Sequence, residues 1–216
     1  MEIRACIFDL DGVLCDTARY HYLAWKRLAG ELGFPFTEEQ NERLKGVSRM
    51  DSLDILLQIG HVECTGKGKE ELAEKKNRWY VEYISRMDQK ELLPGALEFL
   101  RECRKCGLKT ALGSVSKNAG IIINRLNLSE YLDAVVDGSQ VSRAKPDPEV
   151  FLTGAMRLQT DPAACVVFED AAAGVEAAGR AGMKCVGIGD PQILRQADHV
   201  IPGFEDVHVE MLRRWF

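Results

Sequence analysis

The chain has 216 residues, and its 28 basic and 33 acidic side chains give a formal net charge of −5. Hydrophobic residues make up 46% and charged residues 28%, the proportions of an ordinary globular protein. Because a mildly acidic chain lacks the positive field that nucleic-acid binding needs, we expect no nucleic-acid partner. The hydrophobic runs are far shorter than the roughly 18–20 residues that span a bilayer, so we also expect no membrane partner.

The seven cysteines are an odd number spread over a long chain, which is not the pattern of a disulfide framework. The N-terminal segment is acidic at Glu2, and its hydrophobic stretch ends too early to form the core of a signal peptide. We therefore expect reduced cysteines and a cytoplasmic location. We also expect the protein to be a monomer.

Five short hydrophobic runs, each bounded by turn residues, predict strands that are buried on both faces, as in a parallel sheet. They are residues 4–8, 109–112, 134–136, 165–168 and 185–188. Helical stretches separate most of these runs, and the clearest cover residues 94–107, 116–126 and 170–181. The alternation predicts right-handed crossovers and therefore an α/β fold with a doubly wound, Rossmann-like parallel sheet.

Residues 17–89 interrupt this alternation with helical patterns and no predicted strand. Residues 17–32 have the spacing of one hydrophobic helix face, and Thr37-Glu38-Glu39-Gln40 has the form of a capping box. Further helices are predicted over residues 51–59 and 69–87. We therefore predict an all-helical cap domain of residues 17–89, inserted into an α/β core domain of residues 1–16 and 90–216.

Asp9-Leu10-Asp11-Gly12-Val13 follows the first predicted strand, at the carboxyl edge where open α/β sheets place their ligands. Side chains two residues apart on an extended backbone point to the same side, so Asp9 and Asp11 are expected to lie close together. Two such carboxylates repel each other unless a cation or a proton relieves them. The alternative is an aspartate-rich turn with no chemical role.

Three more polar segments follow later strands. They are Gly113-Ser114-Val115-Ser116-Lys117, Lys145-Pro146 and Glu169-Asp170. Taken singly, they are explained as helix caps or as a solvated loop charge. Together with Asp9 and Asp11, they offer oxygen ligands for Mg²⁺ and a carboxylate nucleophile. They also offer a cation and a hydroxyl that can bind a phosphate group. The set favours phosphoryl transfer.

In their order along the chain, these four segments resemble the four motifs of the haloacid dehalogenase superfamily. The whole chain is also similar to the β-phosphoglucomutases within that superfamily, and the likeness extends into the predicted cap. The segments that carry it there are residues 16–18, 44–49, 51–52 and 76–77, with His21, Trp25 and Lys26.

The resemblance implies a role for each residue of the core motifs. Asp9 would be the nucleophile that carries the phosphoryl group, and Asp11 would be the general acid and base. Mg²⁺ would bind Asp9, the backbone carbonyl of Asp11, Glu169 and Asp170. Ser114 and Lys145 would hold the phosphoryl group during its transfer.

The resemblance also implies a set of substrate-binding residues. Arg49, with Ser116, Lys117 and Asn118, would hold the second phosphate of the sugar. His21, Lys45 and Lys76 would act from the cap, where Trp25, Gly46 and Ser52 match further substrate-binding positions. From the residues alone, alternatives stay open for three of these features: a solvated basic loop at 45–49, a packed or surface His21, and a cap-core Trp25.

The activity that the resemblance implies is the interconversion of β-D-glucose 1-phosphate and glucose 6-phosphate. It would proceed through an aspartyl phosphate, with β-glucose 1,6-bisphosphate as intermediate and activator. One alternative is a sugar-phosphate phosphatase of the same fold, and another is a noncatalytic sugar-phosphate sensor. Val115 and Gly138-Ser139-Gln140 depart from the family pattern without removing any of these catalytic groups.

Overall fold

The computed structural model describes residues 2–44 and 48–216. The chain forms two compact units, which we name the core unit (up to Asp16 and from Met87 onward) and the cap unit (Thr17–Arg86). Met87, the first residue of the second core segment, is fully buried, and its carbonyl accepts a hydrogen bond from Arg125 Nε at 3.1 Å. Among the described residues, no helix combines the length and hydrophobicity that a membrane span requires.

The core unit contains a six-stranded parallel sheet in the order β3-β2-β1-β4-β5-β6. Its strands are β1 (Ala5–Phe8), β2 (Lys109–Gly113), β3 (Ala134–Val136), β4 (Cys165–Glu169), β5 (Lys184–Ile188) and β6 (His199–Ile201). The predicted α/β doubly wound sheet is confirmed, and β6 is an addition that the sequence analysis did not predict. Every residue of β1 is fully buried, as expected for a strand inside a parallel sheet.

The helices, in chain order, are α1 (Ala18–Glu31), α2 (Glu38–Asn41), α3 (Arg49–Ile59), α4 (Lys67–Ile84), α5 (Ala96–Lys105), α6 (Ala119–Arg125), α7 (Glu149–Arg157), α8 (Ala172–Arg180) and α9 (Val209–Trp215). On one face of the sheet, α7 and α8 bury hydrophobic side chains that include Phe151 and Val175 against Ile7. On the other face, Phe99 of α5 packs edge-on against Phe168, with their ring centres 5.2 Å apart. Both faces are therefore covered, as a doubly wound sheet requires.

The strand register brings the polar segments to one edge of the sheet. Phe8 pairs with Leu112 of β2 and with Phe168 of β4, so the residues that follow β1, β2 and β4 leave the sheet side by side. The backbone N–H of Asp9 extends this ladder by donating to the Phe168 carbonyl at 3.0 Å. The central strand therefore presents Asp9 at the carboxyl edge, between the ends of its two neighbours.

The cap unit consists of helices, and its described residues contain no strand. Helix α1 packs against α4 and buries side chains that include Trp25 and Leu28. The predicted capping box is confirmed: Thr37 Oγ1 accepts from the Gln40 N–H at 3.2 Å, while Gln40 Oε1 accepts from the Thr37 N–H at 2.9 Å. These contacts satisfy backbone groups that a helix start leaves unpaired.

Candidate active site

Lys145 lies between two carboxylates at the carboxyl edge of the sheet. Its Nζ donates to Glu169 Oε1 at 2.8 Å and also to Asp9 Oδ1. The Lys145 side chain is 9% exposed. Burial alone would lower the pKa of Lys145, but the charges of Asp9 and Glu169 outweigh it and raise that pKa above its ordinary value. Lys145 is therefore a fixed positive charge beside Asp9.

Asp9, Glu169 and Asp170 form an acidic cluster in which one carboxylate oxygen of each lies within 4.8 Å of the others. Burial raises the pKa of Asp9 to about 7, with Lys145 opposing and Glu169 adding to the shift. Burial, followed by Glu169 and Asp9, raises the pKa of Asp170 to about 8. Burial and mutual repulsion disfavour the negative charge of these carboxylates, and a bound cation would relieve both. Several carboxylate oxygens so close together are ligands that suit Mg²⁺.

Two glycines make room for this cluster. Gly12 has a φ of +71°, and a Cβ on it would lie 2.0 Å from Asp170 Oδ2. A Cβ on Gly174 would lie 1.7 Å from Glu169 Oε1. Residues with side chains at either position would displace a carboxylate, so these glycines permit the close approach of the acidic groups.

Backbone amides fix the orientation of Glu169. Its Oε2 accepts from the N–H groups of Asp170 at 2.7 Å and Ala171 at 3.2 Å, while its Oε1 accepts from Lys145. Glu169 is 1% exposed, so the bonds to both of its oxygens compensate for its loss of hydration. This carboxylate is therefore held rigidly at the end of β4.

The segment after β2 folds into consecutive tight turns. Ser114 is buried, its N–H donates to the Val136 carbonyl at 3.0 Å, and its Oγ accepts from the Ser116 N–H at 3.2 Å. Ser116 Oγ in turn accepts from the Asn118 N–H at 3.3 Å. Lys117 is exposed, whereas Ser116 and Asn118 are half-buried. The structure thus places Ser114 beside the end of β1 and the next residues further out.

The predicted site residues of the cap unit include a second buried lysine. Lys76 is 2% exposed, and its Nζ lies 2.8 Å from Nδ1 of His21. The same Nζ lies 4.4 Å from the ring centre of Trp25 and 4.9 Å from that of Tyr80. Burial, followed by the charge of Arg49, lowers the pKa of Lys76 to about 7. Burial, followed by Lys76 and Arg49, holds the pKa of His21 well below its ordinary value.

Among the other predicted cap residues, Trp25 is buried on α1 with its ring beside Lys76 Nζ, Ser52 is buried on α3, and Arg49 is half-buried at the start of α3. Lys45 and Gly46 lie outside the described residues. The sequence analysis missed Tyr80, whose ring lies 4.0 Å from that of His21. Its position four residues after Lys76 on one helix face was the available signal.

Comparison with known proteins places the chain among characterised relatives. The family model for haloacid dehalogenase-like hydrolases matches residues 3–182. The chain is 43% identical over 212 residues to β-phosphoglucomutase of Bacillus subtilis (strain 168), covering 97% of this chain and 94% of that protein. It is 36% identical over 186 residues to a phosphorylated carbohydrates phosphatase of Thermotoga maritima, covering 84% and 83%.

The structure also resembles a crystal structure of β-phosphoglucomutase from Clostridium difficile. The TM-score is 0.90 and the sequence identity is 38%, with 99% of this chain and 96% of that one covered. The family model covers residues 3–182, and the chain has a six-stranded parallel sheet with an acidic cluster at its carboxyl edge. This chain belongs to the haloacid dehalogenase-like hydrolase family.

Proposed function

We propose that the chain is a Mg²⁺-dependent β-phosphoglucomutase, which interconverts β-D-glucose 1-phosphate and glucose 6-phosphate. The observation that carries the proposal is the position of Asp9, a buried carboxylate at the end of the central strand, in contact with the protonated Lys145. A carboxylate held in place beside a fixed cation suits nucleophilic attack on a phosphoryl group. The identity of 43% to the Bacillus subtilis enzyme supports this substrate class.

In the proposed reaction, the phosphoryl group moves from Asp9 to the sugar and back. A sugar hydroxyl attacks the phosphorus of phosphorylated Asp9, the bond from that phosphorus to the aspartyl oxygen breaks, and Asp11 takes the hydroxyl proton. The product is β-glucose 1,6-bisphosphate, which binds again in the opposite orientation. Asp9 then attacks the other phosphorus, and Asp11 returns its proton to the departing sugar oxygen.

The remaining groups of the core unit neutralise and orient the phosphate. Lys145 and Ser114 would hold phosphoryl oxygens, because an ammonium and a hydroxyl both donate hydrogen bonds to them. Asp9, the Asp11 carbonyl, Glu169 and Asp170 would hold Mg²⁺, which fits the all-oxygen donor set of the acidic cluster. When bound, the ion supplies positive charge that offsets the charge of the transferring phosphoryl group.

A mutase must bind a sugar that carries two phosphates, whereas a simple hydrolase needs to hold one. Within the cap unit, Arg49 and Lys76 are basic side chains that would bind a second phosphate. Within the core unit, Ser116, Lys117 and Asn118 would be phosphate donors. The Bacillus subtilis β-phosphoglucomutase matches 97% of this chain at 43% identity, whereas the phosphorylated carbohydrates phosphatase matches 84% at 36% identity. The higher identity and coverage favour the mutase.

A phosphatase of the same fold is the second candidate, because a phosphorylated carbohydrates phosphatase is 36% identical to this chain. In that reaction, water instead of a sugar hydroxyl removes the phosphoryl group from Asp9. The two reactions use the same core residues, so they are distinguished by where the phosphate goes.

The test incubates the protein with Mg²⁺, β-D-glucose 1-phosphate and a trace of β-glucose 1,6-bisphosphate. Glucose 6-phosphate is measured with a coupled dehydrogenase, and free phosphate is measured in the same sample. We expect glucose 6-phosphate to form without an equal amount of free phosphate. Net hydrolysis alone would exclude the mutase and leave the phosphatase.

The nucleophile is tested in the same assay with Asp9→Asn, which we expect to lower turnover by at least about 10⁴-fold because the amide cannot carry the phosphoryl group. Asp161→Asn is the matched control, since Asp161 caps a turn before β4 by accepting from the Ala163 N–H at 2.9 Å. Asparagine is an equally good cap. Normal turnover in Asp9→Asn would contradict the proposal, and no turnover in the unmodified protein would favour the sensor.

A further inference from the structure

The turn that follows β3 touches the segment that follows β2. The N–H of Gly138 donates to the Ser116 carbonyl at 3.2 Å. A Cβ on Gly138 would lie 2.0 Å from the carbonyl oxygen of Val115, 2.7 Å from its carbonyl carbon and 3.1 Å from the nitrogen of Lys117. All three of these atoms are backbone, so no side-chain rotation can relieve the overlap. The contact exists because residue 138 has no side chain.

The turn is fixed by its own hydrogen bonds. The Asp137 carboxylate accepts from the Ser139 N–H at 2.9 Å, and the Asp137 carbonyl accepts from the Gln140 N–H at 3.0 Å. The bond from the Ser114 N–H to the Val136 carbonyl anchors both segments at the end of the sheet. The turn is therefore a firm surface against which the 114–118 segment rests.

We infer that Gly138 is a positioning residue for phosphate binding: its contact with the backbone of Val115–Lys117 holds Ser114 and Ser116 where they bind phosphate oxygens. The inference rests on the proposed function only in taking residues 114–118 as a phosphate-binding segment, and it holds equally for a mutase and a phosphatase.

A methyl group at residue 138 must push the two segments apart. A gap of 2.0 Å between Cβ and the Val115 oxygen has to open by more than 1 Å to reach an ordinary contact of roughly 3.4 Å. Displacements of about 1 Å at a binding group cost as much as about 100-fold in catalysis. The acidic cluster lies at the ends of β1 and β4, outside the two segments that move apart, so we expect its carboxylates to keep their positions.

The experiment compares Gly138→Ala with the unmodified protein in two titrations. One measures binding of inorganic phosphate at saturating Mg²⁺ by calorimetry, and the other measures binding of Mg²⁺ alone. We expect phosphate to bind about tenfold more weakly to Gly138→Ala, with unchanged Mg²⁺ affinity. The matched control is Gly120→Ala on α6, where a Cβ would meet nothing within 4 Å, and we expect both affinities to be unchanged.

Two results would overturn the inference. One is a folded Gly138→Ala protein that binds phosphate with unchanged affinity, and the other is an equal loss of phosphate and Mg²⁺ affinity, which indicates general disruption. If Gly138→Ala does not fold, Asp137→Ala decides the matter, because it removes the carboxylate that fixes the turn and adds no atoms. We then expect phosphate to bind several-fold more weakly with Mg²⁺ affinity retained, and an unchanged phosphate affinity rejects the role of the turn. Neither titration depends on whether glucose 6-phosphate is formed.

Discussion

Among the described residues, the core unit and the cap unit each hold one lysine side chain that is largely buried, and the pKa values of these two lysines shift in opposite directions. Lys145 lies between Asp9 and Glu169, and its pKa is raised above its ordinary value. Lys76 lies against His21 and aromatic rings, and its pKa falls from 10.5 to about 7. Burial disfavours the charge of both lysines, so their neighbours cause the difference.

This difference separates two kinds of chemistry. A lysine between carboxylates is a permanent cation that can neutralise an anionic group. A buried lysine without a carboxylate partner loses its proton readily near neutral pH. A phosphate that binds beside it would raise its pKa and so favour its charged form. The neighbours of each lysine, rather than its depth, therefore decide whether its charge is fixed or conditional.

The largest expected effect comes from removing the fixed cation. Lys145→Met leaves Asp9 and Glu169 buried and facing each other, and breaking a buried ion pair by removing one partner is strongly destabilising. We expect the free energy of unfolding to fall by about 4 kcal/mol, measured by urea denaturation with a chelator present.

The matched control is Lys184→Met, because Lys184 also pairs with a carboxylate, that of Asp198, but is 42% exposed. An exposed pair contributes about 0–1 kcal/mol, so the control is expected to lose little. Equal losses in the two variants would mean that burial does not strengthen the Lys145 pairs.

The second expected effect is a gain in the free energy of unfolding instead of a loss. Lys76 has a folded pKa of about 7 and an ordinary value of 10.5, so between these pH values the unfolded chain binds more protons and stability rises with pH. Lys76→Met has no charge to bury. We expect the variant to gain stability relative to the unmodified protein at pH 7 and to lose about 3.5 kcal/mol of that advantage by pH 10, in urea denaturation.

Two features keep this measurement specific. The pKa of His21 lies well below 6.5, so its protonation does not change across the window from pH 7 to pH 10. Lys75→Met is the control, since Lys75 is the neighbouring residue on α4 and is 41% exposed. The free energy of unfolding of Lys76→Met is compared with that of the unmodified protein at each pH. If the difference does not change with pH, Lys76 keeps its proton despite burial.

The two lysines also show what the sequence could predict. Lys145 was predictable because hydrophobic runs mark the strands, and parallel strands bring their carboxyl ends to one edge. The same logic indicated Asp9, Ser114 and Glu169. The burial of Lys76 was not predictable from the pattern of α4, because a lysine on a helix is ordinarily solvated. The resemblance singled out Lys76 only as a substrate-binding residue of the cap, and the enclosing rings of Trp25 and Tyr80 are a property of packing.

The fold shows a similar division. Five short hydrophobic runs predicted strands, whereas β6 begins with His199 and contains only two consecutive hydrophobic residues, so it gave no comparable signal. The predicted helix at residues 94–107 begins at Ala96, since Gly95 adopts a left-handed turn before it. The space at Gly138 and Gly174 depends on contacts between segments distant in sequence, which local patterns do not encode.

The smallest effect tests which cause dominates at Lys76. Burial is the larger cause of its lowered pKa and the charge of Arg49 the second, so Arg49→Gln removes only the lesser one. We expect the pKa of Lys76 to rise by about half a unit, observed by NMR of the Lys76 side chain during a pH titration. Arg27→Gln is the control, because Arg27 stacks on Trp79 at 4.3 Å and is not among the causes of the shift. If the pKa of Lys76 returned to its ordinary value of 10.5 in Arg49→Gln, charge repulsion would be the dominant cause of its shift. Neighbouring charges alone would then explain why the pKa values of Lys76 and Lys145 differ.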